Sequence, residues 1–486
     1  MTEFNDFNKK GECDMNILFA SSEIFPYAKS GGLADVAYSL PQDLRLEATV
    51  YTVMPLYKIV DRVKYEIEYQ GTSFDIWLGG VRHQIDIFSK KESPCELFLY
   101  NPILCDRDGM YFDTFGDFGD NALRFGLFSY AIIETMLQLN LNCDAIHIND
   151  WQTALVALLA KTKYFLTQKI IFTIHNIAYQ GIFPKKVMDE LELDWDECFK
   201  NDRLEYFDNV NFLKAGIFYS DKVTTVSPSY AKEIQTSAFG HTLENTLVAN
   251  NYKLEGILNG LGFDVFDPAT DKDIFQKFDA KSYELKQKNK IKLLKELGLE
   301  GDEKPLFIFI GRFAMQKGVD LIVESLHLLK DLDINFVILG SGEKYYNQIF
   351  ENLGSKYKNI HITVGFDEAY SRKLYAACDF LVMPSKFEPC GLNQMIAMRY
   401  GSLPLVAHTG GLQDSVLDFT NTDEYSKNTG IGIVYHEHTM FWYMFAITKA
   451  ISLYTNKSRY TKLAIHNMSV DNSWKSSSKE YMKLYR

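Results

Sequence analysis

The sequence predicts an α/β protein made of two doubly wound domains, each a parallel sheet with helices on both faces. Three observations carry this: two series of short apolar β-rich runs, helix-period stretches between the runs, and a turn-rich, charged stretch separating the series. The first series is Asn16–Ala20, Ala48–Met54, Ala145–Ile148, Ile170–Ile174 and Lys222–Val226. The second is Leu306–Ile310, Asn335–Leu339, Ile360–Val364, Phe380–Met383 and Leu403–Val406. Strands covered on both faces read as near-continuous apolar runs, and their alternation with helices implies parallel pairing. Asn250–Asp302 separates the two series, which puts the domain boundary near residue 262. Two domains of about 200 residues each would leave a cleft where strand C-termini face each other, and open sheets bind ligands at that edge.

Composition bounds the function. The chain has 486 residues, 47% apolar and 23% charged, so disordered and fibrous classes are excluded. The 51 Lys+Arg against 63 Asp+Glu give a net charge of −12, and no basic run stands out, which argues against nucleic acid as a partner. Seven cysteines at 13, 95, 105, 143, 198, 378 and 390 lack any C-x-x-C pair. They read as reduced, buried thiols in a cytoplasmic protein rather than as a disulfide scaffold or zinc ribbon. No run approaches the length of a membrane span. Residues 1–14 are polar, without the apolar core of a signal peptide, and read as a flexible extension.

Six polar clusters follow the strands. Lys29-Ser30-Gly31-Gly32 precedes a helix-period stretch. Glycines allow close backbone approach and a helix N-terminus favours an anion, with Lys29 adding charge. The same residues would equally serve as a plain turn with a solvated lysine. The pattern is not a P-loop. His147-Ile148-Asn149-Asp150-Trp151-Gln152 and His175-Asn176-Ile177-Ala178-Tyr179-Gln180-Gly181 end two successive strands. His147 reads more readily as a structural residue, and His175, beside Asn176 and Gln180, more readily as part of a site. Neither has the spacing of a metal motif. Gly311-Arg312-Phe313-Ala314-Met315-Gln316-Lys317-Gly318 sets a planar fork and a point charge five residues apart, suited to a diphosphate. Pro384 to Gln394 carries Glu388 just ahead of a helix expected near Leu392, and a carboxylate there can grip hydroxyls or a developing cation. Thr409-Gly410-Gly411-Leu412-Gln413-Asp414 is the sixth. Each is weak alone. Together at sheet edges they describe a site for an anionic, hydroxyl-rich ligand.

KSGGLADVAYSLP, HINDWQTAL, FTIHNIAYQGIF, FLKAGIFYSDKVTTVSPSYAKEI, ILNG, GRFAMQKGVDLI and MPSKFEPCGLNQMIAMRYGSLPLVAHTGGLQDSV occur in order, and the chain closes on DNSWKSSSKEYMKLYR. This set resembles the ADP-glucose-dependent bacterial glycogen (starch) synthases of glycosyltransferase family 5, over roughly residues 15–486. The resemblance implies a GT-B fold: Rossmann-like domains over 15–262 (acceptor and catalytic) and 263–465 (nucleotide-sugar donor), then a crossover helix over 466–486. It implies retaining transfer of glucose from ADP-glucose to the non-reducing end of an α-1,4-glucan, with no metal and no other cofactor. The lack of a long apolar run argues against a membrane partner, and the sequence fixes no oligomeric state.

Residue by residue, the resemblance implies that Lys29, Gly31 and Gly32 bind the donor, together with Asn259 of L-N-G. Asp150 and His175 would face the transferred glucose, Arg312 and Lys317 would hold the diphosphate, and Glu388 would be the essential carboxylate. Leu392 and Asn393 would bring the following helix N-terminus to the donor, and Asn176, Tyr179 and Gln180 would meet the acceptor. Phe366 is a candidate wall of the base pocket. The chain departs from the family pattern at several places. Asn149 stands for the second His of H-x-H-D-W, and Gln152 for a His. Gly262 stands for the Asp after L-N-G, and Asn393 for Thr or Ser. A base pocket poorly marked by motif leaves UDP-glucose as an alternative donor, and the departures at Asn149 and Gly262 leave a glucan- or nucleotide-binding relative with weak catalysis as the other alternative.

Overall fold

The apolar runs of the first series form the centre of a nine-stranded sheet in a computed structural model that describes residues 15–114, 116–354, 356–421 and 429–486. The extension expected over 1–14 lies outside the described residues. Strand order in this sheet is Leu254–Gly256, Lys222–Thr225, Lys169–Ile174, Ala145–Asn149, Asn16–Ala20, Thr49–Pro55, Ser93–Tyr100, Val81–Lys90 and Ile67–Leu78. Pairing is parallel as far as Ser93–Tyr100, and antiparallel for the remaining two strands. The central strands are buried along nearly their whole length, as their continuous apolar sequence requires. Ile67–Leu78, at the edge, alternates buried and exposed residues over Phe74–Leu78, the pattern of a strand with one face in water.

The second series forms a seven-stranded, wholly parallel sheet. Its order is Ile360–Val364, Asn335–Gly340, Leu306–Ile310, Phe380–Met383, Leu403–Ala407, Gly430–Tyr435, Val416–Asp418. The first five run 3-2-1-4-5, the doubly wound order. Two compact units result. One comprises the chain up to Val226 with Ala231–Gly260 and Trp474–Arg486; the other comprises Ser227–Tyr230 and Leu261–Ser473.

The chain from 466 onward is two elements rather than one. Lys457–Ser469 is a helix of the second unit, and a turn over Val470–Ser473 precedes the terminal helix Trp474–Tyr485 of the first. The turn is built by Asp471, which accepts the Ser473 N–H at 3.1 Å, and by Asn472, whose carbonyl accepts the Leu261 N–H. The terminal helix packs on Gly32–Leu44, and its Tyr485 hydroxyl lies 2.6 Å from His147 Nδ1. His147 Nε2 lies 2.7 Å from Thr173 Oγ1, which in turn meets Thr224 Oγ1 at 2.6 Å. Burial holds the His147 ring neutral, with its pKa pulled down to about 3. His147 is therefore a structural residue, joining three strands to the terminal helix.

The charged stretch that separates the two apolar series is a helix, Lys286–Leu297, in the second unit. One face carries Lys286, Asn289, Lys290, Leu293 and Leu294 inward. Lys290 Nζ sits 2.7 Å from Asp379 Oδ2, both side chains being under a tenth exposed. Lys286 Nζ donates to the carbonyls of Tyr375, Ala376 and Tyr400. Lys286 thus closes the ends of two neighbouring helices and Lys290 is paired with a buried acid, so the charge of both belongs to the packing. The six described cysteines are free thiols, five of them buried. Among the described residues no helix is long and apolar enough to cross a membrane.

Candidate active site

In each sheet the strand order reverses beside the first strand, and ligands of doubly wound sheets bind at such switch points. In the second unit the reversal lies between Leu306–Ile310 and Phe380–Met383, so the loops that follow them define the site. Those are the loops of Arg312 with Lys317 and of Glu388.

The two loops are tied at several points. Lys386 N–H donates to Gln316 O at 2.9 Å, and Gln316 Nε2 to Phe387 O at 3.4 Å. Lys317 Nζ contacts both Glu388 oxygens, at 2.8 and 2.6 Å, and Ser385 Oγ donates to the same carboxylate at 3.0 Å. Close approach depends on Gly318, at φ +69°, where an added Cβ would lie 1.8 Å from Pro384 O. The Gly411 N–H donates to Glu388 O, which brings the Thr409–Asp414 loop to the same place. Ser227 and Ser229 of the same unit donate to Pro389 O and to the Asp414 carboxylate.

Arg312 is exposed, with Gln316 Oε1 at 3.4 Å. Glu388 is buried and Lys317 about a quarter exposed. Leu392 is the N-cap of Asn393–Arg399, and Asn393 Nδ2 donates to Ile310 O at 2.7 Å, fastening that helix to the end of the first strand. Phe366 is two-thirds exposed. Two cations, a lysine-paired carboxylate and a short helix thus gather at one sheet edge.

In the first unit the reversal lies between Asn16–Ala20 and Ala145–Asn149. After Asn16–Ala20 the chain turns through Ser21-Ser22-Glu23 into the Lys29–Gly32 loop. Glu23 is buried and accepts the Ser30 N–H. Burial pushes its carboxyl up to about 7, against that hydrogen bond and with the charges of Asp150 and Asp35 adding to the rise. Sequence reasoning missed Glu23; an acidic residue three positions after a buried strand was its signal. Lys29 Nζ pairs with Asp35 at 2.8 Å. Gly31 and Gly32 lie on the surface, and a Cβ on Gly31 would meet nothing within 4 Å.

Asp150 follows its strand at φ +55°, a conformation Asp tolerates better than most residues. That turn aims Oδ1 at the backbone N–H of His175, 2.7 Å away. Burial raises Asp150 to about 7, against the N–H groups of His175 and Asn176. His175 Nε2 lies 2.8 Å from Asn149 Oδ1, and its surroundings pull the ring down to about 3, so it is neutral at ordinary pH. Asn176 Oδ1 accepts the Ala178 N–H, and Tyr179 is half exposed. Gln180 has both ends of its amide engaged within the first unit. It is buried, with Nε2 on His241 O and Oε1 accepting from Asn211. Asn259 is buried with no partner for Oδ1 among the described residues. Among the described residues no group of three or more His, Cys, Asp or Glu could hold a metal ion.

Residues 16–249 match the model of the starch synthase catalytic domain, and residues 290–428 match glycosyl transferases group 1. The glycogen synthase of Clostridioides difficile is 38% identical, over 97% of this chain and 99% of its own. The chain belongs to the glycogen synthase family. A second member, from Aquifex aeolicus, is 42% identical over 97% of this chain and 98% of its own. The solved catalytic domain of starch synthase IV from Arabidopsis thaliana, bound to ADP and acarbose, superposes with a TM-score of 0.90. Its sequence is 33% identical, and the match covers 97% of this chain and 98% of that one. Sucrose-phosphate synthase from Thermosynechococcus elongatus, at 16% identity and a TM-score of 0.60, shares the fold. The fold is GT-B, and the protein is a glycosyltransferase of the glycogen and starch synthase family.

Proposed function

We propose that this enzyme transfers glucose from ADP-glucose to the non-reducing end of an α-1,4-glucan, with retention at the anomeric carbon and without a metal or other cofactor. The observation that carries the reading is the loop pair of the second unit, where Arg312, Lys317 and Glu388 meet at the switch point. The starch synthase relative solved with ADP supports an ADP-bearing donor.

In this reading Arg312 and Lys317 hold the diphosphate, with Lys29 as a further cation and Asn259 and the helix start at Leu392 and Asn393 as polar contacts. Lys317 exchanges Glu388 for phosphate as the donor binds. The freed carboxylate then meets the sugar hydroxyls and the positive charge that grows at the anomeric carbon. Asp150 and His175 orient the transferred glucose, and Asn176 and Tyr179 receive the acceptor. The bond from the anomeric carbon to the phosphate oxygen breaks as the acceptor hydroxyl oxygen bonds to that carbon on the same face. The acceptor proton passes to the departing phosphate. ADP leaves with more negative charge than it carried as an ester. Placed cations stabilise that change, and losing one costs on the order of 3–4 kcal/mol in the barrier.

The test is glucose transfer to glycogen from ADP-glucose and from UDP-glucose, side by side in EDTA. Transfer from ADP-glucose alone is expected. Transfer from UDP-glucose alone would overturn the donor, and activity restored only by a divalent ion would overturn the metal-free step.

A further inference from the structure

Asn149 is held at both ends of its amide. It is buried at the end of Ala145–Asn149. Its Nδ2 donates to the carbonyl of Ala20 at 3.0 Å. A carbonyl only accepts, so the amide has one orientation, with Oδ1 turned the other way. That oxygen lies 2.8 Å from His175 Nε2. The backbone of Asn149 is fixed as well, since Thr153 Oγ1 meets both its N–H, at 2.7 Å, and its carbonyl, at 2.8 Å. The next residue, Asp150, takes the backbone N–H of His175. Neighbouring residues thus grip the ring and the backbone of the same histidine.

We propose that Asn149 is the positioning residue that locks His175 as the Nε2–H tautomer, so that the ring presents Nδ1 as a hydrogen-bond acceptor for a sugar hydroxyl. The logic is one-way. An amide oxygen cannot donate, so Nε2 must carry the proton. A neutral imidazole has only one N–H, so Nδ1 is left with its lone pair. A histidine at position 149 could itself donate or accept, and would fix neither. Among the described residues no protein group bonds Nδ1. The sugar-facing role rests on the function proposed above, while the tautomer does not.

His147, on the same strand as Asn149, is the titratable side chain whose charge is felt by His175; Asp150 holds the His175 backbone N–H, and Glu23 acts on Asp150 rather than on the ring. The test is long-range proton–nitrogen correlation on the full-length protein labelled with 15N-histidine, between pH 5 and 8, with His175→Gln to assign the signals. Wild type should show His175 protonated at Nε2 and bare at Nδ1 throughout. Asn149→Asp keeps an acceptor of the same shape and adds a charge. It should keep the tautomer but move protonation of the ring to higher pH, and the acidic limb of kcat with it. Asn149→Leu should release the tautomer and lower kcat about tenfold, with ADP affinity unchanged. A wild-type ring protonated at Nδ1, or a tautomer unmoved in Asn149→Leu, would overturn the lock. A released tautomer with unchanged kcat would instead overturn the sugar-facing role.

Discussion

Gly318 and Gly298 allow the close packing of the two donor-side loops to be measured. Both residues are left-handed, at φ +69°, ψ +27° and φ +68°, ψ +26°. Alanine therefore meets the same backbone penalty at each, about 1–2 kcal/mol. Their surroundings differ. A Cβ on Gly298 meets nothing within 4 Å, whereas one on Gly318 would lie 1.8 Å from Pro384 O and 2.6 Å from its carbonyl carbon. Ordinary contact begins near 3.4 Å, so about 1.6 Å must be found by moving one loop off the other. Overpacking of this kind costs about 1–3 kcal/mol. Gly318→Ala should thus destabilise by about 2–5 kcal/mol and Gly298→Ala by about 1–2 kcal/mol. Urea titration followed by circular dichroism reads both, and both lie in the same unit, so errors of extrapolation largely cancel. Moving the loop also pulls Lys317 from Glu388, so Gly318→Ala should lose at least tenfold in kcat with Gly298→Ala unchanged. Equal costs and equal turnover in the two variants would refute the claim that this contact builds the site.

Other expectations follow from the same geometry. Glu388→Gln removes charge without volume and should lower glucosyl transfer a hundredfold or more, on the order of a lost transition-state contact, while ADP still binds; wild-type turnover in a steady-state assay would remove Glu388 from the chemistry. Lys29→Ala should weaken ADP binding by about tenfold, less than a free lysine would, because Lys29 must leave Asp35 to reach a phosphate; calorimetry showing an unchanged Kd would exclude it. The Asp150 carboxyl is raised from 3.8 to about 7, so the native state keeps a proton that the unfolded chain has lost, and the stability this contributes fades as pH rises from about 4 to about 7. Asp150→Asn, which also accepts φ +55°, should therefore be more stabilising relative to wild type at pH 8 than at pH 5; melting curves with the opposite order would contradict the assignment. Lys290→Met leaves a buried carboxylate without its cation and should cost about 3–5 kcal/mol, part of it recovered by adding Asp379→Asn, which removes the charge but keeps an acceptor for the Leu306 N–H; a single variant that unfolds in urea like wild type would mean that water reaches the pair.

What was legible in the sequence was whatever declares itself locally. NILFA, IIFTI and LFIFI are continuous apolar runs, and each is a central strand at the expected place. The antiparallel strands Ile67–Leu78, at the edge, and Val81–Lys90, next to it, do not show themselves as apolar runs because only one face is buried along much of their length. Glu388 was visible in its motif, but its partner Lys317 is 71 residues away and no spacing rule links them. His147 was correctly weighed as structural, though Tyr485 lies 338 residues further on. The lysines around 286–290 read as a charged separator because the acid that neutralises one of them, Asp379, sits on another element. The hydrogen bonds that hold Gln180 were not legible, because Asn211 and His241, which engage it, come from elsewhere in the chain. Sequence shows which groups can do chemistry, and folding decides which of them are already engaged.

The terminal helix bears on the order in which this protein can be made. Ser477 reaches Leu258 O, Ser478 reaches Asp43, and Tyr485 reaches His147, all within the first unit. Synthesis delivers these residues after every residue of the second unit. The second unit has all of its parts when Ser473 emerges, while the first, begun earlier, still lacks the hydroxyl beside His147. A nascent chain halted there would carry one complete sheet and one with an open flank, where Gly32–Leu44 has no neighbour to cover it. The half synthesised first is the half completed last, and a chaperone or protease watching for exposed apolar surface would read the missing helix as an unfinished molecule.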